Sequence, residues 1–356
     1  MTDSLWNPIK VGDLRLEHRL AMAPMTRDRS SSDGAPTALN AEYYAQRASM
    51  ALIITEGTQP SADGQGYLLT PGIHTGSHVD GWRAVTDAVH AAGGRIVVQL
   101  MHVGRVSHPS NTPHGRQPVG PSVVQPSAAM FTAQGMQPLP TPRALSLLEV
   151  AQTVQEFRAA AAAAIAAGAD GVEIHGASGY LLQQFLSSNA NQRTDGYGGS
   201  IANRIRFTLE VAAAVADEIG AGRTGLRISP GNPFNDIRED DVLDLYAALL
   251  AGLAPLGLAY LHVVHGGDEE LVRALRRDWP GTLLLNRGGA DIDARVADLD
   301  SGLADVITVG SLSLANPDLV ERLRSGAPLN TPDPATFYGG DEHGYTDYPV
   351  LAGAAR

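Results

Sequence analysis

The chain has 356 residues, of which 44% are hydrophobic and 18% charged, so it is long enough to bury a large core in one domain. A net charge of −12 at pH 7 argues against binding to nucleic acid or to an anionic membrane, because both favour Lys and Arg. The absence of cysteine excludes disulfides, thiolate metal ligands and a cysteine nucleophile.

Eight short apolar or β-branched runs, each bounded by turn residues, predict eight strands. The predicted strands span residues 20–25, 51–55, 95–100, 171–175, 225–229, 259–264, 282–286 and 305–309. Amphipathic or alanine-rich segments follow each run and predict helices. The predicted helices span residues 37–50, 79–92, 147–167, 201–219, 240–256, 269–278, 291–300 and 316–323.

The alternation of strand and helix predicts a parallel sheet, because crossover connections between parallel strands are right-handed. Eight repeats indicate that the sheet closes into a (β/α)8 TIM barrel, and we expect one domain over residues 1–356. An open doubly wound sheet is the alternative. It lacks its usual signature, since no G-x-G-x-x-G follows the first strand.

Two segments interrupt or extend this pattern. Residues 103–146, after the third strand, are rich in Pro, Gly, Ser and Gln, and an excursion of that length predicts a lid or a binding element. Residues 327–356 form a C-terminal tail that contains Phe337, Tyr338 and other aromatic residues, so we expect it to pack near the barrel mouth. The N-terminus lacks a basic segment followed by an apolar one, which favours a cytoplasmic protein.

Polar side chains are predicted at the carboxyl ends of the strands, where the active sites of such barrels lie. They include Gln99, His175, Arg227 and His262, but no pair of carboxylates suited to glycoside hydrolysis and no G-x-S-x-G motif. His74 and His78 have helical spacing without a nearby glutamate, and we expect no metal site. These groups favour a bound cofactor that carries out the electron chemistry.

Several motifs then resemble the old yellow enzyme family of FMN-dependent ene-reductases over nearly the whole chain. They are MAPMTR at 22–27, ITEGT at 54–58, VVQLMHVGR at 97–105, EIHGASGYLLQQFL at 173–186, NQRTDGYGGSIANR at 191–204, LRIS at 226–229 and FYGG at 337–340. The resemblance implies non-covalent FMN at the barrel mouth and NAD(P)H as reductant. Thr26, where some relatives carry Cys, is similar to the threonine-bearing branch.

The resemblance also implies the residues that bind FMN. Thr26, after Pro24 and Met25, matches the threonine at the flavin O4/N5 edge. Gln99 matches the glutamine on the pyrimidine ring, and Arg227 matches the arginine beside N1 and O2. For the phosphate, the relatives' Gly-Arg is replaced, so we expect backbone amides and one new cation to bind it: Gly289, Gly310, Ser311 and Arg287. Gly57 is expected to allow close approach of the flavin ring.

The same resemblance implies the catalytic residues and the substrate pocket. His175 is expected to donate a hydrogen bond to the substrate's carbonyl or nitro oxygen, and Tyr180 to protonate its α-carbon. Ser178 stands where relatives have Asn or His, and its shorter side chain weakens the second hydrogen bond to that oxygen. The pocket residues are expected to be Tyr67, Met101, Phe337 and Tyr338.

The predicted function is hydride transfer from NAD(P)H through FMN to an activated C=C of a small α,β-unsaturated carbonyl or nitro compound, by a monomer or homodimer. Two alternatives stay open because of Ser178 and Ser311. One is a flavin-dependent isomerase or desaturase that acts on a biosynthetic intermediate. The other is a flavin-binding relative with little turnover.

Overall fold

The computed structural model describes residues 3–351, and its strands fall into one barrel and three small accessory sheets. In chain order the strands are β1 (Ile9–Val11), β2 (Leu14–Leu16), β3 (Leu20–Met22), β4 (Ile53–Ile54), β5 (Ile96–Leu100), β6 (Val119–Gly120), β7 (Ala129–Thr132), β8 (Gly135–Pro138), β9 (Arg143–Ala144), β10 (Gly171–Gly176), β11 (Thr224–Ile228), β12 (Tyr260–Val264), β13 (Leu283–Asn286) and β14 (Val306–Val309).

The helices begin where the sequence offers an N-cap, as at Ser146, whose hydroxyl and the Glu149 carboxylate form a capping box. In chain order they are α1 (Ala38–Ala45), α2 (Gly76–Ala91), α3 (Leu147–Ala166), α4 (Leu181–Leu186), α5 (Ile201–Ile219), α6 (Val242–Leu253), α7 (Glu269–Asp278), α8 (Ile292–Asp300), α9 (Ser311–Ala315) and α10 (Leu319–Ser325). Short 3-10 turns lie at Asp3–Trp6, Ala62–Gly64, Pro109–Asn111, Ala221–Arg223, Ala254–Leu256 and Pro334–Thr336.

The barrel closes through eight parallel strands in the order β10, β11, β12, β13, β14, β3, β4, β5. This confirms the predicted (β/α)8 barrel, and each predicted strand overlaps an observed one. The helices pack around the barrel, with α3 against α5 and α1 against α2 as the most extensive helix contacts. No helix within residues 3–351 has both the length and the apolar character needed to cross a bilayer.

The amino end of the barrel is closed by an antiparallel hairpin of β1 and β2, which strand prediction missed. Leu16 and Val11 from this hairpin are 1% exposed and pack on inward-facing apolar side chains of the barrel strands, such as Val97 and Leu284. We call this apolar cluster the floor of the barrel. The hairpin turn uses Gly12 at φ +56°, where a Cβ would lie 2.2 Å from the Gly222 carbonyl oxygen.

Two other parts of the sequence prediction need correction. The helix expected at 316–323 begins at Leu319 as α10, because Pro317 keeps the preceding Asn316 out of the helical conformation, and the shorter helix α9 before it was not predicted. The excursion at 103–146 holds two small sheets: a β7–β8 hairpin, and a parallel pair of β6 with β9. Both lie beyond the carboxyl end of β5, on the same side of the barrel as the predicted site.

Candidate active site

Neighbouring strands bring together the polar residues expected at the barrel mouth. In the register of the sheet, Gln99 on β5 pairs with Glu173 on β10, and His175 pairs with Arg227 on β11, which in turn pairs with His262 on β12. All five are buried, with between 0 and 8% of their surface exposed. Residues that are up to 163 positions apart in the sequence, as Gln99 and His262 are, are thus brought together inside the mouth.

His175 is held as a neutral imidazole that can donate a hydrogen bond. Burial lowers its pKa well below the ordinary value, and the nearby charge of Arg227 adds to the shift. The backbone N–H of Ala177 donates to His175 Nδ1 at 3.2 Å, so the ring proton lies on Nε2. Nε2–H is therefore the group that His175 can offer to a ligand.

Tyr180 lies beside His175, with the two ring centroids 4.9 Å apart and the planes nearly perpendicular. Its hydroxyl is 2.9 Å from the hydroxyl of Tyr67. Burial raises the pKa of Tyr180 well above its ordinary value and that of Tyr67 to about 12. Both phenols therefore keep their protons at neutral pH, as a proton donor must.

Ser178 has a fixed backbone and a hydroxyl that forms no hydrogen bond with any residue of the described chain. It adopts φ +55°, its N–H donates to Ser229 Oγ at 2.8 Å, and its carbonyl accepts from Asn235 Nδ2 at 2.8 Å. The left-handed conformation is one that Asn adopts more readily than Ser. The hydroxyl remains available to a ligand, although it reaches less far than an Asn amide.

Arg227 is a buried cation at the mouth with an unused hydrogen-bond donor. The residue is 8% exposed, and its Nε has no hydrogen-bond partner among residues 3–351. Burial lowers the pKa of Arg227, while the charge of Glu173 opposes that shift. A buried cation with an unused donor fits the electron-rich N1 and O2 positions of FMN, which would satisfy it.

The loop after β3 carries the predicted Pro24, Met25 and Thr26, all half-buried. Its course is set by Glu56, whose carboxylate accepts the backbone N–H of Arg27 at 3.0 Å. The Arg27 side chain in turn donates to the carbonyl of Phe337 at 2.9 Å, which draws the C-terminal tail to this loop.

Tyr338, beside Phe337, is 67% exposed and acts electrostatically on Tyr67 and Tyr180. The tail therefore reaches the rim of the mouth near Tyr67 and Tyr180. Residues 352–356, the end of the predicted tail, lie outside the described residues.

Met101 belongs to an apolar cluster that includes Tyr180. It packs with Tyr180, with Val103 and with Met130 and Leu139 of the excursion, and Tyr67 borders the same cluster. Gly57 is expected to admit the flavin, but the structure gives it another neighbour. A Cβ at Gly57 would lie 2.4 Å from Met101 Sδ, so this glycine makes room for the methionine.

Arg287, predicted as a phosphate ligand, is bound by two carboxylates of this chain. Its guanidinium donates to both oxygens of Asp298, at 2.6 and 2.9 Å, and also pairs with Glu269. These carboxylates raise the pKa of Arg287 far above its ordinary range. Its charge is already compensated, so the geometry supports a structural ion pair between α7 and α8.

The other three residues predicted at the phosphate lie in the loop after β13 and at the start of α9. Gly310 and Ser311 form the start of α9, and Gly289 lies in a turn at φ +73°. Gly310 is adjacent to Met25, because a Cβ there would lie 3.3 Å from Met25 Sδ. This links the end of β14 to the loop that carries Thr26.

Sequence reasoning missed three polar residues at the mouth. Glu173 precedes His175 by two residues and lies on the same inward face of β10. Asn235 bonds the Ser178 carbonyl and the Tyr67 hydroxyl. Asp28, two residues after Thr26, has a buried Oδ1 without a hydrogen-bond partner among residues 3–351, and burial together with Glu56 raises its pKa to about 8. Only Glu173 had a sequence signal, its alternation with His175.

Comparison with known proteins identifies the family of the chain. The model of the NADH:flavin oxidoreductase / NADH oxidase family matches residues 4–330. The chain is 45% identical over 358 residues to a probable flavin mononucleotide-dependent alkene reductase of Leishmania infantum, covering 98% of each. It is 42% identical to 12-oxophytodienoate reductase 7 of Oryza sativa subsp. japonica, covering 98% of this chain and 94% of the relative. Morphinone reductase solved in complex with tetrahydroNAD superimposes with a TM-score of 0.95 at 44% identity over the full length of both chains.

A closed barrel with this buried polar mouth is that of an FMN-dependent oxidoreductase. The chain belongs to the NADH:flavin oxidoreductase / NADH oxidase family, as an old yellow enzyme. It uses NAD(P)H to reduce FMN and passes the hydride to an activated C=C. The residues around the mouth fit that cofactor, with Arg227 as the buried donor that FMN would satisfy.

Proposed function

We propose that this ene-reductase binds the substrate's activating oxygen at His175 and delivers the proton from Tyr180. The observation that carries the proposal is the perpendicular contact of the two rings at 4.9 Å, with one ring neutral and donating and the other a protonated phenol. FMN, when bound, supplies the hydride for the β-carbon. Thr26, Gln99 and Arg227 would hold it, and Gly310 with Ser311 would contact its phosphate.

His175 polarises the substrate in this scheme. Its Nε2–H donates to the carbonyl or nitro oxygen and stabilises the negative charge that develops there as the β-carbon accepts hydride. The Ser178 hydroxyl can donate a second hydrogen bond to the same oxygen, although its side chain is shorter than the Asn or His of relatives. Because His175 is neutral, the oxygen is stabilised by a hydrogen bond, and no proton transfer from the imidazole is required.

Tyr180 completes the reduction by giving its phenolic proton to the α-carbon. The O–H bond of Tyr180 breaks and the new C–H bond takes the proton, which leaves a phenolate on Tyr180. Tyr67 is placed to stabilise that phenolate, since its hydroxyl lies 2.9 Å away and can donate to it. Solvent then restores the proton on Tyr180.

The lining of the mouth favours an apolar substrate. Met101, Val103, Met130 and Leu139 present flexible or branched apolar side chains over Tyr180. We therefore propose enones, enals, cyclic imides or nitroalkenes with an apolar body, held beneath the excursion at 103–146. We further propose that the enzyme acts in the cytoplasm. We also propose that it is a monomer or homodimer, and size-exclusion chromatography of the holoenzyme tests this oligomeric state.

Tyr180→Phe tests the proton-donor role in the two half-reactions, followed by anaerobic stopped-flow absorbance. Reduction of FMN by NAD(P)H should change by less than about threefold. Reoxidation by cyclohexenone should slow by about 100-fold or more, because general acid catalysis contributes 10²–10⁴-fold.

Tyr246→Phe is the matched control, since Tyr246 on α6 is also a buried tyrosine, and its hydroxyl donates to Glu239 at 2.8 Å. It should leave both half-reactions unchanged. An equal loss in both half-reactions of Tyr180→Phe would contradict the role. Consumption of NAD(P)H with cyclohexenone or maleimide also separates the ene-reductase from an isomerase.

A further inference from the structure

Glu173 is a carboxylate without any exposed surface in the interior of the barrel. It precedes His175 by two residues, so both side chains point inward from β10. An unpaired charge at such a position costs several kcal/mol or more. A carboxylate can persist there only if its neighbours hold it by hydrogen bonds and opposite charge.

Two side chains satisfy Glu173 directly. Gln99 Nε2 donates to Glu173 Oε1 at 2.7 Å, and His262 Nδ1 donates to Glu173 Oε2 at 2.8 Å. On its far side, His262 Nε2 accepts from the Thr308 hydroxyl at 3.0 Å, which fixes the tautomer.

The charge state of this network is a carboxylate beside a neutral imidazole. Burial lowers the pKa of His262, so its ring carries one proton, the one donated to Glu173. Burial opposes the ionisation of Glu173, but His262, Arg227 and Gln99 outweigh it, and the pKa of the carboxyl lies below its ordinary value. Glu173 therefore carries a negative charge beside Gln99 and near Arg227.

This charge has a geometric effect on Gln99. An amide group is planar, and its two ends differ, one donating and one accepting. Because a carboxylate accepts only, it binds the NH₂ end of Gln99 and sets which way the amide faces. Gln99 then enters the mouth with a defined orientation, which a pyrimidine ring with alternating donors and acceptors requires.

The same charge acts on Arg227. The two groups attract each other, and Glu173 offsets part of the positive potential that Arg227 creates at the mouth. A reduced flavin bears negative charge at N1, so a weaker positive potential makes reduction of the cofactor less favourable. Removing the carboxylate charge should therefore favour the reduced cofactor.

We propose that Glu173 is a positioning residue that orients Gln99 and moderates the charge of Arg227, and thereby sets the affinity for FMN and its reduction potential. This rests on the proposed placement of Gln99 and Arg227 at the pyrimidine end of FMN. The proposal makes separate predictions for the charge of Glu173 and for its position.

Glu173→Gln removes the charge, and Glu173→Asp keeps it but withdraws the carboxylate by one methylene. In Glu173→Gln, the ratio of affinities for reduced over oxidised FMN should rise about tenfold, a positive shift of about 30 mV in the two-electron midpoint potential. In Glu173→Asp, the potential should stay near that of the wild type, while the Kd for FMN rises about tenfold. Glu156→Gln, a half-buried carboxyl on α3 outside the barrel, is the control and should change neither quantity.

Potentials would be measured by dye equilibration of the holoenzymes, and Kd values by fluorescence titration of apoprotein with FMN. Unchanged potential in Glu173→Gln overturns the role of the charge, and an unchanged Kd in Glu173→Asp overturns the role in positioning. If Glu173→Gln does not fold, Glu173→Asp alone decides the proposal through its Kd.

Gln99→Leu and Arg227→Lys separate this inference from the placement on which it rests. If both leave the Kd and the potential unchanged, the placement at the pyrimidine end is wrong. If they change these quantities while the Glu173 variants do not, the placement holds and only the inference about Glu173 is overturned.

Discussion

The mouth and the floor of the barrel are built by the same strands but bury opposite kinds of side chain. On three strands the inward residue changes from apolar to polar within two positions, from Val97 to Gln99, from Tyr260 to His262 and from Val306 to Thr308. Residues two apart on a strand face the same side, so each pair extends from the floor to the mouth.

The difference between the two ends shows where this molecule derives its stability. The floor gains free energy from apolar surface removed from water, without any partner requirement. The mouth holds Gln99, Glu173, Arg227 and His262 in a network in which every group depends on another, and such groups contribute little net stability. Substitutions should therefore have opposite consequences at the two ends.

The largest effect is expected at the floor. Leu16→Ala should lower the free energy of unfolding by about 2–4 kcal/mol, because Leu16 is 1% exposed and its truncation leaves a cavity beneath the barrel. The rates of both half-reactions should stay within about twofold of the wild type. Denaturant unfolding of the holoenzyme checks the first expectation, and stopped-flow the second.

Arg15→Ala on the same strand is the control for Leu16→Ala, since Arg15 is exposed and should change stability by less than about 0.5 kcal/mol. A large fall in enzymatic rate with little loss of stability in Leu16→Ala would break the division between the floor and the mouth.

At the mouth, removal of a charge should stabilise the protein. The raised pKa of Asp28, about 8, means that the folded chain holds a proton there that the unfolded chain releases near pH 4. Stability therefore falls as the pH rises from about 4 to 8, where the folded carboxyl also ionises. Asp28→Asn lacks this loss and should be more stable than the wild type by about 2 kcal/mol at pH 9, a value reduced because water still reaches part of the residue.

The gain from Asp28→Asn should shrink as the pH is lowered and disappear near pH 4, as thermal or denaturant unfolding across this range would show. Asp87→Asn on α2 removes an exposed carboxylate and serves as the control. A gain that is independent of pH would mean that Asp28 stays ionised or neutral throughout, which contradicts this account of the mouth.

The strands and helices could be predicted from the sequence because each is a local pattern. Apolar runs and caps specify β10 and α5 without reference to the rest of the chain, and the ends of such strands locate the mouth. The β1–β2 hairpin was overlooked although Gly12-Asp13 lies between two short alternating runs, a turn that favours a hairpin.

The network of the mouth depends on tertiary structure that no local pattern reports. The Gln99–Glu173 hydrogen bond joins residues 74 positions apart and requires the register of β5 with β10. The same holds for Arg287, whose carboxylate partners lie on α7 and α8. It is expected at the phosphate because the relatives' Gly-Arg is replaced, and no local pattern shows that its charge is already compensated.

Arg287→Ala has the smallest expected effect. It tests whether Arg287 is a phosphate ligand at the mouth or part of a structural ion pair between α7 and α8. Loss of the ion pair with Asp298 and Glu269 should lower the free energy of unfolding by about 1–2 kcal/mol, because the Glu269 side chain is 45% exposed but that of Asp298 is only 8% exposed. The Kd for FMN should remain within about twofold of the wild type, because the guanidinium is already committed to carboxylates. The control is Arg277→Ala, which removes an exposed arginine on the same helix as Glu269. A tenfold loss of FMN affinity in Arg287→Ala but not in Arg277→Ala would show that Arg287 binds the phosphate.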